Sequence, residues 1–503
     1  MPSAVAQPHV APAGLAPVPQ LPFTFARTHG VLLDTSAPSL RVLYRPGLTT
    51  AVLAELGRVL GSDFQLAALS DNEFQQRLSA AFARDNSVAV QVAEDMGADI
   101  NLARLADEIP ATGDLMEGED SAPVIKLINA LISQAVRERA SDIHIETYED
   151  SLSVRFRRDG VLTEVLSPKR LLAPLLVSRI KVMARLDIAE KRLPQDGRIG
   201  VKLAGHALDI RVSTLPSAYG ERVVLRLLDK QAGQMELEHL RMPAPVLQAY
   251  RAALQVPHGI ILVTGPTGSG KTTTLYAGLM HINDSHKNIL TIEDPIEYTL
   301  PGVGQTQVNP KVGMTFAHGL RSILRQDPDV VMLGEIRDSE TARIAVQASL
   351  TGHLVLSTLH TNTAIGAITR LQDMGIESFL LASSLVAVLS QRLVRLLCVH
   401  CRKPHTPDGR ERDLLGLVAA ATATIYEAQG CTECKHTGYN GRKGIFECVR
   451  VDAELRKLIH DGAGEAALLQ QARLQGDSLQ QDGIRSVFAG ETTLAEVLRV
   501  SAA

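Results

Sequence analysis

Eight consecutive residues, Gly265-Pro-Thr-Gly-Ser-Gly-Lys-Thr272, carry the most specific chemistry in this 503-residue chain. Gly-x4-Gly-Lys-Thr is the order of a phosphate-binding loop. Glycines at these positions let successive backbone N–H groups turn inward around an anion. Lys271 supplies a cation for β- and γ-phosphates, and the Thr272 hydroxyl suits a Mg²⁺ ion. The apolar run Ile260–Thr264 precedes the loop and a helical pattern follows it, which is the context such a loop needs. Gly265, Pro266, Thr267, Gly268, Ser269, Gly270, Lys271, Thr272 and Thr273 are therefore expected to bind ATP with Mg²⁺.

Hydrolysis needs a group that orients water. Val330-Val-Met-Leu is followed by Gly334-Glu335, which puts Glu335 where the carboxyl end of a parallel strand would present a base. Glycine stands where a metal-side aspartate would be usual. The acidic cluster Glu293-Asp294-Pro-Ile-Glu297 follows another strand-like run, and its carboxylates are candidates to hold Mg²⁺ through waters. A helix-capping turn is the plainer reading of that cluster. His353 and His360 flank the run Leu354–Leu359, and His360, at its carboxyl end, is the better γ-phosphate sensor.

Four of the five cysteines form two pairs, Cys398-x-x-Cys401 and Cys431-x-x-Cys434, which suits tetrahedral Zn²⁺ through four thiolates. A redox pair is the competing reading. The 29 residues between the pairs exceed the spacing of a zinc ribbon, and the Ala-rich run Val418–Ile425 reads as an inserted helix. Cys448 reads as a small buried hydrophobe. His400, His405 and His436 are less favoured as ligands.

The elements that must position these groups are legible in outline. Ile260–Thr264, Asn288–Ile292, Val330–Leu333 and Leu354–Leu359 are short continuous apolar runs separated by helical patterns, as in a parallel α/β sheet. Upstream, Val124, Leu127, Ile128, Leu131 and Ala135 form one helical stripe after Ser121. Alternating runs such as Ser153–Arg157 and Ala207–Val212, with a helix near 171–186, predict an α+β domain. Near the N-terminus two short amphipathic helices are expected, one burying Val52, Leu53, Leu56, Val59 and Leu60, the other Phe74, Leu78 and Phe82. Residues 2–22 are rich in Pro and Ala and read as a disordered arm.

Charge is unevenly placed. Residues 51–120 hold four Arg, no Lys and 14 Asp/Glu, whereas residues 141–230 hold 16 Lys/Arg against 12 Asp/Glu. Positive charge thus concentrates beside the phosphate motifs. The formal net charge of −4 gives no global attraction to nucleic acid or anionic lipid. No run reaches the roughly 18 apolar residues of a membrane span, and no signal peptide is visible, so a cytoplasmic protein is expected.

The order of four blocks resembles the secretion ATPases, the superfamily of type II secretion and type IV pilus motors. They are Gly265–Thr272, Thr291–Tyr298, Leu324–Asp338 and Thr351–Asn362, matching that family's P-loop, acidic box, second nucleotide motif and histidine box. The family also has glycine before the glutamate, so Gly334 is no departure. Ser141–Glu146, Val154–Gly160, Leu193–Arg198 and Asp209–Pro216 resemble its PAS-like domain. The resemblance implies that Arg211 and Arg226 reach nucleotide phosphates as arginine fingers, with Lys271, Glu335, Glu293 and His360 completing the catalytic set. It supports zinc at the four cysteines.

The implied architecture is a RecA-like α/β motor core preceded by a PAS-like α+β domain, with a small helical N-terminal domain, a zinc module and a helical tail. Boundaries are expected at 1–20 (arm), 21–105 (docking domain), 106–120 (acidic linker), 121–235 (PAS-like domain), 236–397 (core), 398–440 (zinc module) and 441–503 (tail). Leu21–Leu33 and Arg226–Lys230 resemble type II secretion more than pilus assembly. Expected partners are five further copies in a hexamer and, through residues 21–105, an inner-membrane platform protein. A pilus-assembly ATPase is the alternative within the family. A nucleic-acid translocase is the alternative outside it, disfavoured by the acidic N-terminal region and the lack of a basic-aromatic stripe. A non-catalytic nucleotide switch is disfavoured by Lys271 and Glu335.

Overall fold

The computed structural model describes residues 29–34, 41–60, 64–70, 73–74, 77, 102, 122–203, 206–229, 236–418 and 423–501. The chain divides into two compact units, Met1–Ile100 and Asn101–Ala503. The expected arm and acidic linker, and the positions of Leu78 and Phe82, lie outside the described residues.

The first unit holds β1 (Val31–Asp34), β2 (Arg41–Tyr44) and β3 (Gln65–Ala68) in the order β1-β2-β3. β1 and β2 are antiparallel, β2 and β3 parallel. A parallel pair needs a crossover, and the helix Thr50–Leu60 supplies it. Val52 and Leu56 of that helix pack on Val31, Leu33 and Val42, while Phe74 packs on Leu32 and Leu43. This corrects the expectation of a purely helical domain. Strands of four residues are too short to declare a period of two.

The second unit begins with the helix Ala122–Arg137, whose expected stripe is buried: Val124, Leu127, Ile128, Leu131 and Ala135 are all at most 5% exposed. Six strands follow, β4 (Asp142–Thr147), β5 (Leu152–Arg158), β6 (Val161–Leu166), β7 (Gln195–Leu203), β8 (His206–Ser217) and β9 (Gly220–Asp229), with the helix Ala173–Ala184 between β6 and β7. They form an antiparallel sheet in the order β6-β5-β4-β9-β8-β7. Directly paired residues share a face. The register therefore lines up Arg157, Asp142, Arg226, Arg211 and Arg198 in one row across five strands.

The motor core contributes β10 (Gly259–Thr264), β11 (Ile289–Glu293), β12 (Gly304–Gln307), β13 (Val330–Leu333), β14 (Leu354–Leu359) and β15 (Leu385–Leu397). These six strands run parallel to their neighbours. A short antiparallel pair, β16 (Lys403–His405) and β17 (Ile425–Glu427), belongs to the cysteine module. The chain then returns as β18 (Tyr439–Arg450), antiparallel to β15, giving the order β12-β11-β13-β14-β10-β15-β18. The sheet thus extends beyond the boundary expected at 397, and the module is an insertion between two of its strands.

Both faces of this sheet are covered. Helices Ala244–Leu254 and Lys271–Ile282 bury one face around Tyr250, Tyr276, Ile261 and Val263. Helices Phe316–Ile323, Ser339–Leu350 and Ala364–Asp373 bury the other around Leu262, Val331 and Val355. Each fully buried aliphatic contributes roughly 1.5–3 kcal/mol, which explains why these strands read as unbroken apolar runs. The tail is helical, as expected: Ala453–His460 and Glu465–Gln475 join the second face, while Leu479–Phe488 and Leu494–Ser501 pack on Val394 and Ile445. Among the described residues no helix is long and apolar enough to cross a membrane.

Candidate functional site

Parallel strands end at a common edge, and that edge gathers the motifs. Gly265–Gly270 follows β10, Glu335 follows β13, His360 follows β14, and Glu293 ends β11. The phosphate-binding loop lies directly over β15: a Cβ on Gly265, at φ 150°, would sit 2.5 Å from the Gln391 carbonyl oxygen. Gly270, at φ 89°, starts the helix in the left-handed region, and a Cβ there would meet the Gln391 amide at 2.8 Å. Only glycine fits either place. Ser269 Oγ is buried without a hydrogen-bond partner, an orphan that an anion in the loop would satisfy.

Lys271 is 9% exposed, and its Nζ donates to the carbonyls of Gly265 (2.8 Å) and Pro266 (3.1 Å). Burial pulls the amine down to about 8, with Glu335 opposing and Arg392 assisting. A phosphate arriving in the loop would offer the charge partner that those carbonyls only approximate. Thr272, exposed at the first turn of the helix, is free to ligate Mg²⁺, so the residues present fit both nucleotide and metal.

Glu335 is held from two sides. Arg337 Nη2 donates to Oε1 at 2.5 Å, and His360 Nε2 lies 3.4 Å from Oε2. Thr358 Oγ1 donates to the Gly334 carbonyl (2.7 Å) and Ile336 N to the Thr358 carbonyl (3.1 Å), which fixes the turn carrying the carboxylate. Burial, then the charge on Lys271, lowers the His360 pKa, so the ring is neutral near pH 7. His353, by contrast, sits at the start of β14 with Nδ1 2.9 Å from the Ala348 carbonyl, away from this edge.

Glu293 is 3% exposed and takes hydrogen bonds from Tyr276, from Thr291 Oγ1 (2.5 Å) and from Gln305 Nε2 (3.0 Å). Of the acidic cluster, only Asp294 is exposed, while Glu297 is paired with Arg211. The cluster therefore divides into a pinned carboxylate, an open one and an ion-paired one. Spacing alone could not separate these three roles.

Arg211 crosses from β8 to this edge: Nη1 lies 2.9 Å from Glu297 Oε2, and Nη2 donates to the Ile296 carbonyl at 2.6 Å. Arg226 stays within its own sheet, with Nε 3.0 Å from Asp142 Oδ1 and a side chain 56% exposed. The sequence reading gave no role to Asp142 and Glu146. They are the counter-ions of Arg157, Arg226, Arg155 and Arg222. Gln391 and Arg392 were also missed. Charge and amide inside the otherwise apolar run Leu385–Leu397 are the signal that could have marked them.

The four Sγ atoms of Cys398, Cys401, Cys431 and Cys434 all lie within 4.8 Å of one another. The closest separations are 3.7, 3.8 and 3.9 Å. A tetrahedron with Zn–S bonds of about 2.3 Å has edges of about 3.8 Å, so the cluster has the size for such an ion. Backbone N–H groups of Gly430, Cys431 and Gly438 point at the sulfurs, as they do toward thiolates. His405 is engaged with Glu411 at 2.7 Å, and the cluster contains no histidine. The described insertion has a helix at Gly409–Leu415 and places Ile425 in β17; residues 419–422 of the expected Ala-rich helix lie outside the described residues. Cys448 is partly buried against the core, and burial pushes its thiol up to about 12.

Comparison with known proteins agrees with this geometry. Residues 117–499 match the family described as type II/IV secretion system protein, and residues 20–96 match an N-terminal domain of GSPII protein E. The chain is 60% identical over 489 residues to the type II secretion system protein E of Pseudomonas aeruginosa, covering 97% of both. It is 55% identical to the type II secretion system ATPase E of Vibrio cholerae, covering 98% of both. The fold is that of the Legionella pneumophila ATPase DotB, with a TM-score of 0.55 at 21% identity over 75% of this chain and 95% of that one. On the strength of the match across 117–499 and of relatives this similar along nearly its whole length, the chain belongs to the type II/IV secretion system protein family.

Proposed function

We propose that this ATPase is the motor of a type II protein secretion system, with Glu335 as the base that orients water. The observation that carries the chemistry is the convergence of the phosphate-binding loop, Glu335 and His360 on the carboxyl ends of β10, β13 and β14. Lys271 leaves its carbonyl partners for the β- and γ-phosphates, Thr272 holds Mg²⁺, and His360, neutral beside Glu335, senses the γ-phosphate edge. Glu293, pinned by three donors, holds the metal's water shell with Asp294. Arg211 and Arg226 act as fingers, which gives a hexameric ring its coupling between neighbouring sites.

The functional division follows the chain. Residues 21–105 dock on an inner-membrane platform protein, 106–120 serve as linker, and 121–235 carry the fingers. Residues 236–397 with β18 form the motor, 398–440 hold structural zinc, and the remainder is the helical tail. A separate N-terminal unit, and the family match of its own over residues 20–96, support a distinct docking role. The protein then works in the cytoplasm, held at the inner membrane by that partner. Replacing the chromosomal gene by a Glu335→Gln version should stop export of secreted enzymes while leaving pili intact. Loss of pili with export unchanged would assign the motor to pilus assembly.

A further inference from the structure

Arg392 lies on β15 under the phosphate-binding loop, and no step described so far uses it. It is 5% exposed, and its partners are all neutral oxygens. A guanidinium removed from water without a carboxylate is expensive, so its position calls for a return elsewhere. Nη1 lies 3.1 Å from where a Cβ on Gly265 would be, close against the loop.

The fork reaches in three directions. Nη2 donates to the Asn362 carbonyl at 2.8 Å and lies 3.4 Å from its side-chain oxygen. Nε donates to the Val500 carbonyl in the last helix at 3.2 Å, and Nη1 to the Gln391 carbonyl at 3.1 Å. Asn362 follows His360 by two residues. Upstream, the Leu359 carbonyl accepts from Gly265 N at 3.3 Å; downstream, Thr363 Oγ1 caps the next helix by accepting from Gly366 N at 2.9 Å. Both ends of the turn His360–Thr363 are therefore fixed by their own elements, and its middle is fixed by Arg392. What the turn presents is the His360 ring, 3.4 Å from Glu335.

We propose that Arg392 is a positioning residue of this ATPase: it ties the turn after β14 to the last helix and so holds His360 against Glu335. The proposal rests on the reading of Glu335 and His360 given above. A planar fork can bond in three directions at once, which a lysine ammonium on a flexible stem cannot reproduce.

The test compares Arg392→Gln, Arg392→Lys, His360→Ala, the Arg392→Gln/His360→Ala double variant and a full chain ended after Arg499. The last removes the Val500 carbonyl without touching a buried charge. Turnover, KM and thermal midpoint are measured on each. Arg392→Gln should lower kcat by roughly 10- to 100-fold with KM within about threefold, as expected when a catalytic group is misplaced rather than lost. Arg392→Lys should not rescue it, the shortened chain should share part of the loss, and the double variant should be no slower than the worse single one. Parent-level kcat in Arg392→Gln, full rescue by lysine, a shortened chain with parent kcat, or losses that multiply in the double variant would each overturn the proposal. Parent-level kcat in His360→Ala would instead overturn the underlying reading of the histidine, and the proposal with it.

Discussion

Arg211 on β8 grips the turn after β11 twice, through the Glu297 carboxylate at 2.9 Å and the Ile296 carbonyl at 2.6 Å. One side chain thereby joins the arginine-bearing sheet to the nucleotide edge of the motor. Arg226 is held more loosely, 56% exposed and paired with Asp142. Partly exposed ion pairs are worth about 0–1 kcal/mol, so both arginines can change partners cheaply. If they act as fingers, Arg211→Ala and Arg226→Ala should each reduce turnover by on the order of 10³-fold with a much smaller loss of nucleotide affinity. Equal losses in the two quantities would mean that the arginines only help to bind ATP.

Lys271→Ala removes the buried cation of the loop, and Glu335→Gln keeps the shape of the side chain while removing its basicity. Both should reduce hydrolysis by at least about 10²-fold, and only the Glu335 variant should retain ATP affinity near the parent value. Steady-state hydrolysis together with a fluorescent-nucleotide titration checks both statements. A Glu335→Gln protein that turns over at the parent rate would move the base elsewhere.

One zinc per chain is expected at Cys398, Cys401, Cys431 and Cys434, closed to solvent ligands. Chelation should release one equivalent, expose four reactive thiols and lower the thermal midpoint, because binding energy at such a site is folding energy. Elemental analysis that finds no zinc, with all four thiols freely reactive, would remove the metal from this reading.

Acid should loosen the last helix. Glu496 is 2% exposed; burial pushes its carboxyl up, but Arg499 and Arg395 more than offset this and hold it down at about 2. A carboxyl depressed in the folded state stabilises fully above its ordinary value near 4.5, and that stabilisation is lost as pH falls toward about 2. Glu496→Gln should therefore cost on the order of 2 kcal/mol at pH 7, and the gap from the parent should close as pH drops below about 4. Thermal midpoints measured from pH 7 to pH 3 report this. A constant gap across the range would show that the ion pairs are not its source.

A chain beginning near Ser121 should stay folded and hydrolyse ATP while losing recruitment to the membrane in cells. The N-terminal unit is compact in itself, and no nucleotide motif lies within it. Cell fractionation that still finds the shortened chain at the membrane, with its partner, would place docking on another surface.

The motor's inner strands were legible because each is buried on both faces, so Ile260–Thr264 and Leu354–Leu359 carry little polar interruption. β15 and β18 were not, since Gln391, Arg392 and Arg395 break one run and Gly441, Arg442 and Lys443 the other. Of the site, the loop, Glu335 and the cysteines follow from spacing along the chain. The donors to Glu293 do not: Tyr276 and Gln305 come from separate elements, and only the register of β11 against β12 brings Gln305 beside that carboxylate.

The placement of the cysteine module has a consequence for synthesis. β15 and β18 are the two arms of one antiparallel hairpin, paired from Ala387↔Arg450 to Leu397↔Tyr439, and 41 residues separate its ends. Ordinary hairpins close over two to five residues, and the entropy lost on closing grows with the logarithm of length. Cys398 directly follows the first arm, and Cys431 and Cys434 shortly precede the second, so their cluster brings the chain back to where it left. The module does for this hairpin what an Asn-Gly pair does for a short one. A nascent chain that has made its phosphate-binding loop still has an open sheet edge at β15, and it cannot seal that edge until both cysteine pairs and then β18 have left the ribosome.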